Sequence, residues 1–114
     1  MHIKDKNKLD CILEAVEKIE KYTDGYTNAD HLNENSIAFD ATMMNFVVIG
    51  EMVSKLSDDF KDTHQEVDWI KVMGFRNIVA HDYFGIDAEE VLQIIQNKLP
   101  ELKSFIESKK CSFE

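Results

Sequence analysis

The 114-residue chain is long enough for one domain with an ordinary hydrophobic core and too short for two. Its composition, 44% apolar and 31% charged, is typical of a globular protein that folds without metal or disulfide support. The net charge of −9 excludes the chain-wide basic footprint of nucleic-acid binders and equally suits a basic protein partner. We therefore expect a single domain over residues 1–114, with a frayed tail at 107–114, and any contact with RNA must rely on a local site.

The N-terminal and cysteine patterns indicate a cytoplasmic protein. The opening residues, M-H-I-K-D-K, are charged and no apolar run follows them, so we expect neither a signal peptide nor a membrane segment. Cys11 and Cys111 stand at opposite ends without C-x-x-C spacing, which argues against a disulfide framework or a zinc site. Cys11 lies among apolar helix positions and is predicted to be a buried thiol.

The first helix is predicted from Asp5 to about Tyr22, because its apolar residues recur at three-four spacing. These residues are Leu9, Ile12, Leu13, Val16 and Ile19. Gly25 can take the left-handed conformation that ends a helix. A short turn or helical piece is expected at Ala29–Glu34.

The second helix is predicted from a Ser36 cap to about Asp58. Its middle, M-M-N-F-V-V-I-G-E-M-V, is apolar nearly all the way round. A helix in so small a domain cannot easily bury its whole circumference against its own chain. One side is expected to pack inward and the other to meet a second protein, and the alternative is a wholly intramolecular central helix.

A polar connection is expected next, and a third helix should then begin at Trp69, capped by Asp68. This helix carries R-N-I-V-A-H-D-Y, and Gly85 is its predicted stop. The last helix is predicted to begin at Asp87 in a capping-box variant with Glu90. Pro100 should interrupt it near Leu99, because proline lacks a backbone donor. The pattern as a whole predicts an all-α, up-and-down bundle of four to five helices.

The histidines do not indicate a metal site. His2 is terminal, His31 and His64 fall in polar stretches, and none has a ligand partner at helical spacing, so we expect solvated surface residues. A di-iron bundle would need Glu-x-x-His on two helices, and that pattern does not occur in the sequence. We expect neither a metal nor a cofactor.

The stretch R-N-I-V-A-H-D-Y contains the chain's single arginine, Arg76, and five residues later His81, a candidate acid–base residue. On a regular helix these two residues lie about 140° apart, so both reach one site only if the helix loosens or a two-fold partner supplies a facing copy. Asn77 shares a face with His81 and can orient its imidazole. Tyr83 should present an accessible hydroxyl.

The residue types in this stretch suit phosphate chemistry. Histidine can take the proton of a ribose 2′-hydroxyl or protonate a leaving oxygen, and a fixed guanidinium stabilises charge on phosphate oxygens. Together they are sufficient for metal-independent cleavage of RNA, whereas DNA lacks the reacting hydroxyl. Spacing alone leaves a structural role at a helix end open.

The stretch resembles the Arg-x4-His-x-Tyr signature of the HepT-like toxins, a branch of the HEPN-domain ribonucleases. The similarity extends from about Leu9 to Ile106 and includes L-D-C-I-L-E-A-V-E-K-I-E-K-Y-T-D-G, N-F-V-V-I-G-E-M-V-S-K-L-S and N-K-L-P-E-L. Phe75 departs from the family pattern, in which methionine is common before the arginine. This change affects packing and leaves the chemistry intact.

The resemblance implies an all-helical HEPN-like homodimer whose two motifs line a cleft at the interface. It implies that Arg76 and His81 are catalytic, with Asn77 in support, in an endoribonuclease toxin. Tyr83 matches the position at which an MntA-like nucleotidyltransferase antitoxin can attach AMP in this family. The alternative is a non-catalytic helical partner that docks a nucleotidyltransferase and presents Tyr83.

Overall fold

The computed structural model describes residues 3–77 and 87–111, and within them it is all helical, as predicted. The helices are α1 (Ile3–Tyr22), α2 (Ala29–Glu34), α3 (Ser36–Lys55), α4 (Asp58–Thr63), α5 (Trp69–Met73), α6 (Ala88–Gln93) and α7 (Leu99–Cys111), with a π-helical segment (Ile94–Lys98) between α6 and α7. Predictions for His2, Gly85, His81 and Tyr83 lie outside the described residues.

The two long helices α1 and α3 pack against each other and form the centre of the molecule. Helix α1 buries the predicted apolar stripe, and Leu9, Ile12, Val16 and Ile19 are all fully inaccessible. Helix α7 closes over α1, while α5 lies against α3 and α2 contacts both α3 and α6. A single hydrophobic cluster connects these helices.

Side-chain caps and one glycine fix where the first three helices begin and end. Gly25 has a φ of +81°, which confirms the predicted left-handed stop after α1. The short turn or helical piece expected at Ala29–Glu34 is a helix, α2, capped by Asn28. The predicted Ser36 cap is wrong by one residue: the Asn35 side chain accepts from the Ala38 amide, and Ser36 is the first helical residue.

The segment after α3 is not simply the predicted polar connection. Helix α3 ends at Lys55, and the six-residue α4 follows, capped by Ser57 and anchored by buried Phe60. Buried Asp5 at the start of α1 accepts from both the Ser57 amide and the Ser57 hydroxyl, at 2.9 and 2.7 Å. Five of the six residues of α4 are polar, so the sequence of this stretch resembles a connection.

The predicted third helix begins as expected, because Asp68 accepts from the Lys71 amide and caps α5. Its continuity is lost at Gly74, where a turn separates α5 from the helical residues 75–77. The arginine therefore lies in a new helical segment that starts at Phe75, and not in the helix that begins at Trp69.

The interruption predicted at Pro100 is confirmed, and it takes the form of a π-helical segment. Asp87 caps α6 by accepting from the Glu89 amide. The Leu99 amide then donates to the Ile94 carbonyl, five residues back, in the turn that precedes the proline. Proline thus occurs in the first turn of α7, where its missing donor costs little. Helix α7 continues to Cys111, further than the tail prediction implied.

Three predicted surface or core assignments are wrong. Cys11 is exposed, because the helical rotation places it on the outer face of α1 with Glu14 and Lys18. His31 is a half-buried residue of α2 that accepts from the Thr27 amide. His64 is half-buried too, stacked on Phe60 with ring centroids 4.3 Å apart.

Helix α3 is the most apolar of the three long helices α1, α3 and α7. Its 20 residues would be long and apolar enough to cross a membrane by length and composition alone. Here it packs as a core helix, with seven residues buried against its neighbours: Ala38, Thr42, Met43, Phe46, Ile49, Gly50 and Val53.

Candidate active site

Arg76 lies at the start of a helical segment that a buried aromatic residue anchors. Phe75 is 3% exposed and meets Phe46 of α3 edge to face, with ring centroids 5.4 Å apart. The Asn77 amide donates to the Gly74 carbonyl and closes the turn below the arginine. The backbone at Arg76 is therefore fixed by packing on one side and by a turn on the other.

The guanidinium of Arg76 is held by an acid on α3. Its Nη1 donates to Oε1 of Glu51 at 2.8 Å. The two side chains are 36% and 43% exposed, so the pair lies at the surface and solvent reaches it. One charge-assisted bond of this kind orients an arginine while the guanidinium, with five donors in all, stays within reach of an oxyanion.

Close approach of α3 to the arginine segment depends on Gly50. A Cβ at position 50 would lie 2.9 Å from the Arg76 Cβ and 2.9 Å from the Met73 carbonyl oxygen. Both distances are shorter than real Cβ contacts, and one of the two atoms is backbone. Glycine at position 50 therefore allows α3 and the arginine segment to come into contact.

The exposed face of α3 leads to this pair. Ile37 and Met44 are 83% and 63% exposed, and Glu51 follows at the next interval of seven. Residues seven apart on a helix share a face, with only a small drift per interval. The apolar exposed residues and the arginine's partner are therefore on one side of α3, and we call this side the outer face.

A cavity of about 490 Å³ adjoins the arginine segment. Phe75 and Phe105 contribute apolar walls, and Lys71 and Lys98 stand at its edge. Glu66, Asp68 and Glu101 also line it, so the lysines do not make the cavity basic. Within the described residues, no group of three His, Cys, Asp or Glu side chains is arranged to hold a metal ion.

The structure describes two of the four site residues predicted from the sequence. Arg76 and Asn77 are adjacent on the helical segment, and Asn77 is exposed, whereas His81 and Tyr83 lie outside the described residues. Sequence reasoning missed Glu51 and the role of Gly50. One signal was present: Glu51 is the only charged residue from position 41 to 53, which distinguishes it within an apolar run.

Comparison with known proteins identifies a family. The model of the family described as "Ribonuclease HepT-like" matches residues 12–108. The protein named "Probable ribonuclease HepT" from Thermococcus cleftensis is 31% identical over 102 residues, which cover 90% of this chain and 92% of that protein. "Putative RNase MJ1380" from Methanocaldococcus jannaschii is 29% identical, over 84% of this chain and 87% of that protein.

A third relative is "Putative RNase TTE0752" from Caldanaerobacter subterraneus, which is 27% identical over 83% of this chain and 84% of that protein. A search of solved structures gave no significant match. The matched residues contain all of the elements that surround Arg76, and they include the whole R-N-I-V-A-H-D-Y stretch.

Proposed function

The chain belongs to the HepT-like ribonuclease family and is an endoribonuclease, and we propose that it works without a metal ion as the toxin of a type II-like toxin–antitoxin pair. The observation that carries the proposal is the state of Arg76, which is oriented by Glu51 at 2.8 Å and is still one-third exposed. A surface arginine with no catalytic task gains little from such an arrangement, because exposed ion pairs stabilise a fold by less than about 1 kcal/mol.

In the proposed reaction His81 takes the proton of a ribose 2′-hydroxyl, and the 2′-oxygen attacks the adjacent phosphorus. The bond from phosphorus to the 5′-oxygen breaks, and that oxygen receives a proton from an imidazolium. The products are a 2′,3′-cyclic phosphate and a 5′-hydroxyl. Arg76 stabilises the charge on the phosphate oxygens, and Asn77 supports the imidazole. DNA does not react, because it lacks the 2′-hydroxyl.

The proposed active form is a homodimer that pairs through the outer face of α3. Ile37 and Met44 are exposed on this face, and Glu51 with its arginine partner is next along it. An interface that covers the apolar residues would bring two copies of Arg76 to its edge. Such an arrangement answers the problem that Arg76 and His81 are about 140° apart on a regular helix.

The proposed regulator is an MntA-like nucleotidyltransferase that transfers AMP to the Tyr83 hydroxyl. The modification adds a phosphate and a bulky nucleoside two positions from His81 and seven from Arg76 in sequence. That phosphate would compete with RNA for Arg76 and block the cleft. The pair would act in the cytoplasm, where RNA substrate and nucleotide donor are both present.

RNA cleavage in EDTA tests the catalytic assignment. The wild-type dimer is expected to cut RNA and to leave 2′,3′-cyclic phosphate ends, while Arg76→Ala and His81→Ala lose at least about 100-fold in rate. His31→Ala is the matched control, because it removes a half-buried histidine from α2. Equal cleavage by the wild type and both motif variants would contradict the proposal.

Co-expression with a nucleotidyltransferase encoded beside the chain tests the regulatory assignment. Peptide mass spectrometry is expected to find AMP on Tyr83 and not on Tyr22 or Tyr26, the other two tyrosines. Tyr83→Phe should remain active in the presence of the enzyme. AMP on Tyr83 of a chain without ribonuclease activity would favour the alternative, a non-catalytic partner of the nucleotidyltransferase.

A further inference from the structure

We propose that Glu51 is a positioning residue for the ribonuclease reaction, which fixes the Arg76 guanidinium in the orientation that meets the scissile phosphate. The inference rests on the proposed function and adds a residue to its site. Glu51 acts through Arg76 and does not itself touch the RNA.

Two consecutive residues of α3 fix the two ends of the arginine side chain. Gly50 allows the backbone of α3 to reach the Arg76 Cβ, and Glu51 binds Nη1 at the far end at 2.8 Å. The base of the side chain and its charged head are therefore both held by contacts with α3. A flexible arginine held at only one of these points would sample many rotamers.

The helix that supplies these contacts is rigidly packed at this height. Ile49, directly before Gly50, and Val53, two residues after Glu51, are fully inaccessible in the core. Glu51 therefore projects from a fixed backbone, and its carboxylate is a reference point for the guanidinium. Preorganised charges of this kind stabilise a transition state without rearranging during the reaction.

The carboxylate orients the arginine without consuming it. The ion pair uses Nη1 alone, and a guanidinium has five donors in a planar fork. Because the guanidinium is planar, fixing Nη1 also determines the direction in which its other N–H groups point. If Glu51 instead competed with phosphate for the arginine, its removal would strengthen the site, and this opposite expectation makes the proposal testable.

The first experiment observes the arginine directly. Arg76 is the only arginine, so its Nε–Hε group gives a single signal in a ¹H–¹⁵N spectrum. In the wild type we expect an order parameter close to that of the backbone, about 0.85, and in Glu51→Ala a value below about 0.6. An unchanged order parameter in Glu51→Ala overturns the proposal, whether or not the protein cleaves RNA.

The second experiment measures cleavage kinetics with Glu51→Ala and Glu51→Gln. We expect kcat to fall about 10- to 100-fold in Glu51→Ala, since misplacement by an ångström costs up to about 100-fold in rate. Glu51→Gln retains an acceptor oxygen and should fall between Glu51→Ala and the wild type. KM should stay constant or decrease, because removing a negative charge beside the cleft favours RNA binding.

Two controls separate positioning from other roles. Glu17→Gln removes the same charge from the exposed side of α1 and should leave kcat unchanged. In an Arg76→Ala background, Glu51→Ala should cause no further loss, because the residue acts through the arginine. A further loss there, or a raised kcat or raised KM in Glu51→Ala alone, would overturn the proposal.

Failure of the proposed function looks different. A wild-type chain that cannot cleave RNA, or an Arg76→Ala variant as active as the wild type, would refute the ribonuclease mechanism. In that event the arginine signal decides by itself whether Glu51 orients Arg76. Gly50→Ala should shift the same signal, and it tests the other end of the side chain.

Discussion

The two central helices make a controlled comparison within one molecule. Helices α1 and α3 each have 20 residues, pack against each other and bury seven residues. Their outer faces differ in composition, although Ile3 in the first turn of α1 is also exposed. Helix α1 presents charged residues such as Glu14, Glu17 and Lys18, whereas α3 presents Ile37 and Met44.

The difference teaches that the core does not account for the composition of α3. Helix α1 buries the same number of residues in the same helix pair, and its outer face is nevertheless charged. Single exposed apolar residues are ordinary, but those of α3 share a face with Glu51, and Glu51 binds the catalytic candidate Arg76. The inner face of α3 therefore serves the fold, and its outer face is where we place association and catalysis.

The sharpest test of this division compares two isoleucines on α3. Ile49 is fully inaccessible and Ile37 is 83% exposed. Ile49→Ala should lower the free energy of unfolding by about 3 to 4 kcal/mol, and Ile37→Ala by less than about 0.5 kcal/mol. Denaturant unfolding at a concentration where the chain is monomeric measures both. Similar losses for the two variants would mean that the faces are not distinct.

A lysine on each outer face tests which helix associates. Met44→Lys should abolish the dimer and reduce ribonuclease activity about 100-fold, because burying an unpaired ammonium in an interface is costly. Cys11→Lys is the matched control, since it introduces the same side chain at an exposed site on α1. Sedimentation and RNA cleavage measure the two effects.

The Cys11→Lys control should be a dimer with wild-type activity. Met44→Lys should remain folded, with an unchanged helical circular-dichroism spectrum, because its side chain is 63% exposed in the monomer. A Met44→Lys protein that stays dimeric and active would show that the outer face of α3 is not the interface.

The polar residue on the inner face of α1 is satisfied, and it should be costly to change. Asp5 is 3% exposed, and its two carboxylate oxygens accept from the amide and the hydroxyl of Ser57. Asp5→Asn replaces one acceptor oxygen with a donor and should lower the free energy of unfolding by about 2 kcal/mol. Asp24→Asn, at an exposed turn position, is the control and should be near neutral.

The polar residue on the inner face of α3 shows the reverse situation. Thr42 is fully inaccessible, and its hydroxyl has no hydrogen-bond partner among residues 3–77 and 87–111. Thr42→Val keeps the branched shape and removes the unsatisfied group, so it should raise the free energy of unfolding by about 1 kcal/mol. Thermal unfolding of the two proteins at equal concentration measures the change. A destabilised valine variant would show that the hydroxyl is bonded in solution.

The sequence was informative wherever a local pattern determines structure. Three-four spacing predicted the buried stripe of α1, and the caps at Asp68 and Asp87 are where the residue types suggested. Cys11 was misassigned because apolar neighbours in sequence are not neighbours on a helix: each step turns the side chain by about 100°. Helix α4 was missed because five of its six residues, D-D-F-K-D-T, are polar and the stretch resembles a connection.

The site was only partly accessible from the sequence. The chemistry of Arg76 follows from its residue type, and its stretch is recognisable without coordinates. Its partner Glu51 is 25 positions away, and no local rule connects the two. The same holds for Gly50, whose requirement appears only when the Met73 carbonyl and the Arg76 Cβ are placed beside it. Both relationships depend on tertiary contacts, which composition and residue spacing do not reveal.

Glu20 on the charged surface of α1 forms an ion pair with α7, and the pH dependence of stability should reveal its contribution. Lys103 of α7 donates to Glu20 at 2.9 Å, and this hydrogen bond raises the pKa of Lys103 above its ordinary value of 10.5. A raised pKa means that the bond stabilises the fold below pH 10.5, where the lysine is charged in both states. The contribution is lost as the pH rises through the higher pKa of the folded protein.

Glu20→Gln isolates this contribution. The wild type should be more stable than the variant from pH 7 to about 10, by at most about 1 kcal/mol, because solvent screens a pair of which each side chain is about one-third exposed. The difference should vanish at higher pH, when Lys103 is neutral in both proteins. Denaturant unfolding across this range measures it, and the comparison cancels the titration of the other lysines and the tyrosines. A difference that persists unchanged above the folded pKa would show that Glu20 stabilises α1 by packing instead of by binding the α7 ammonium.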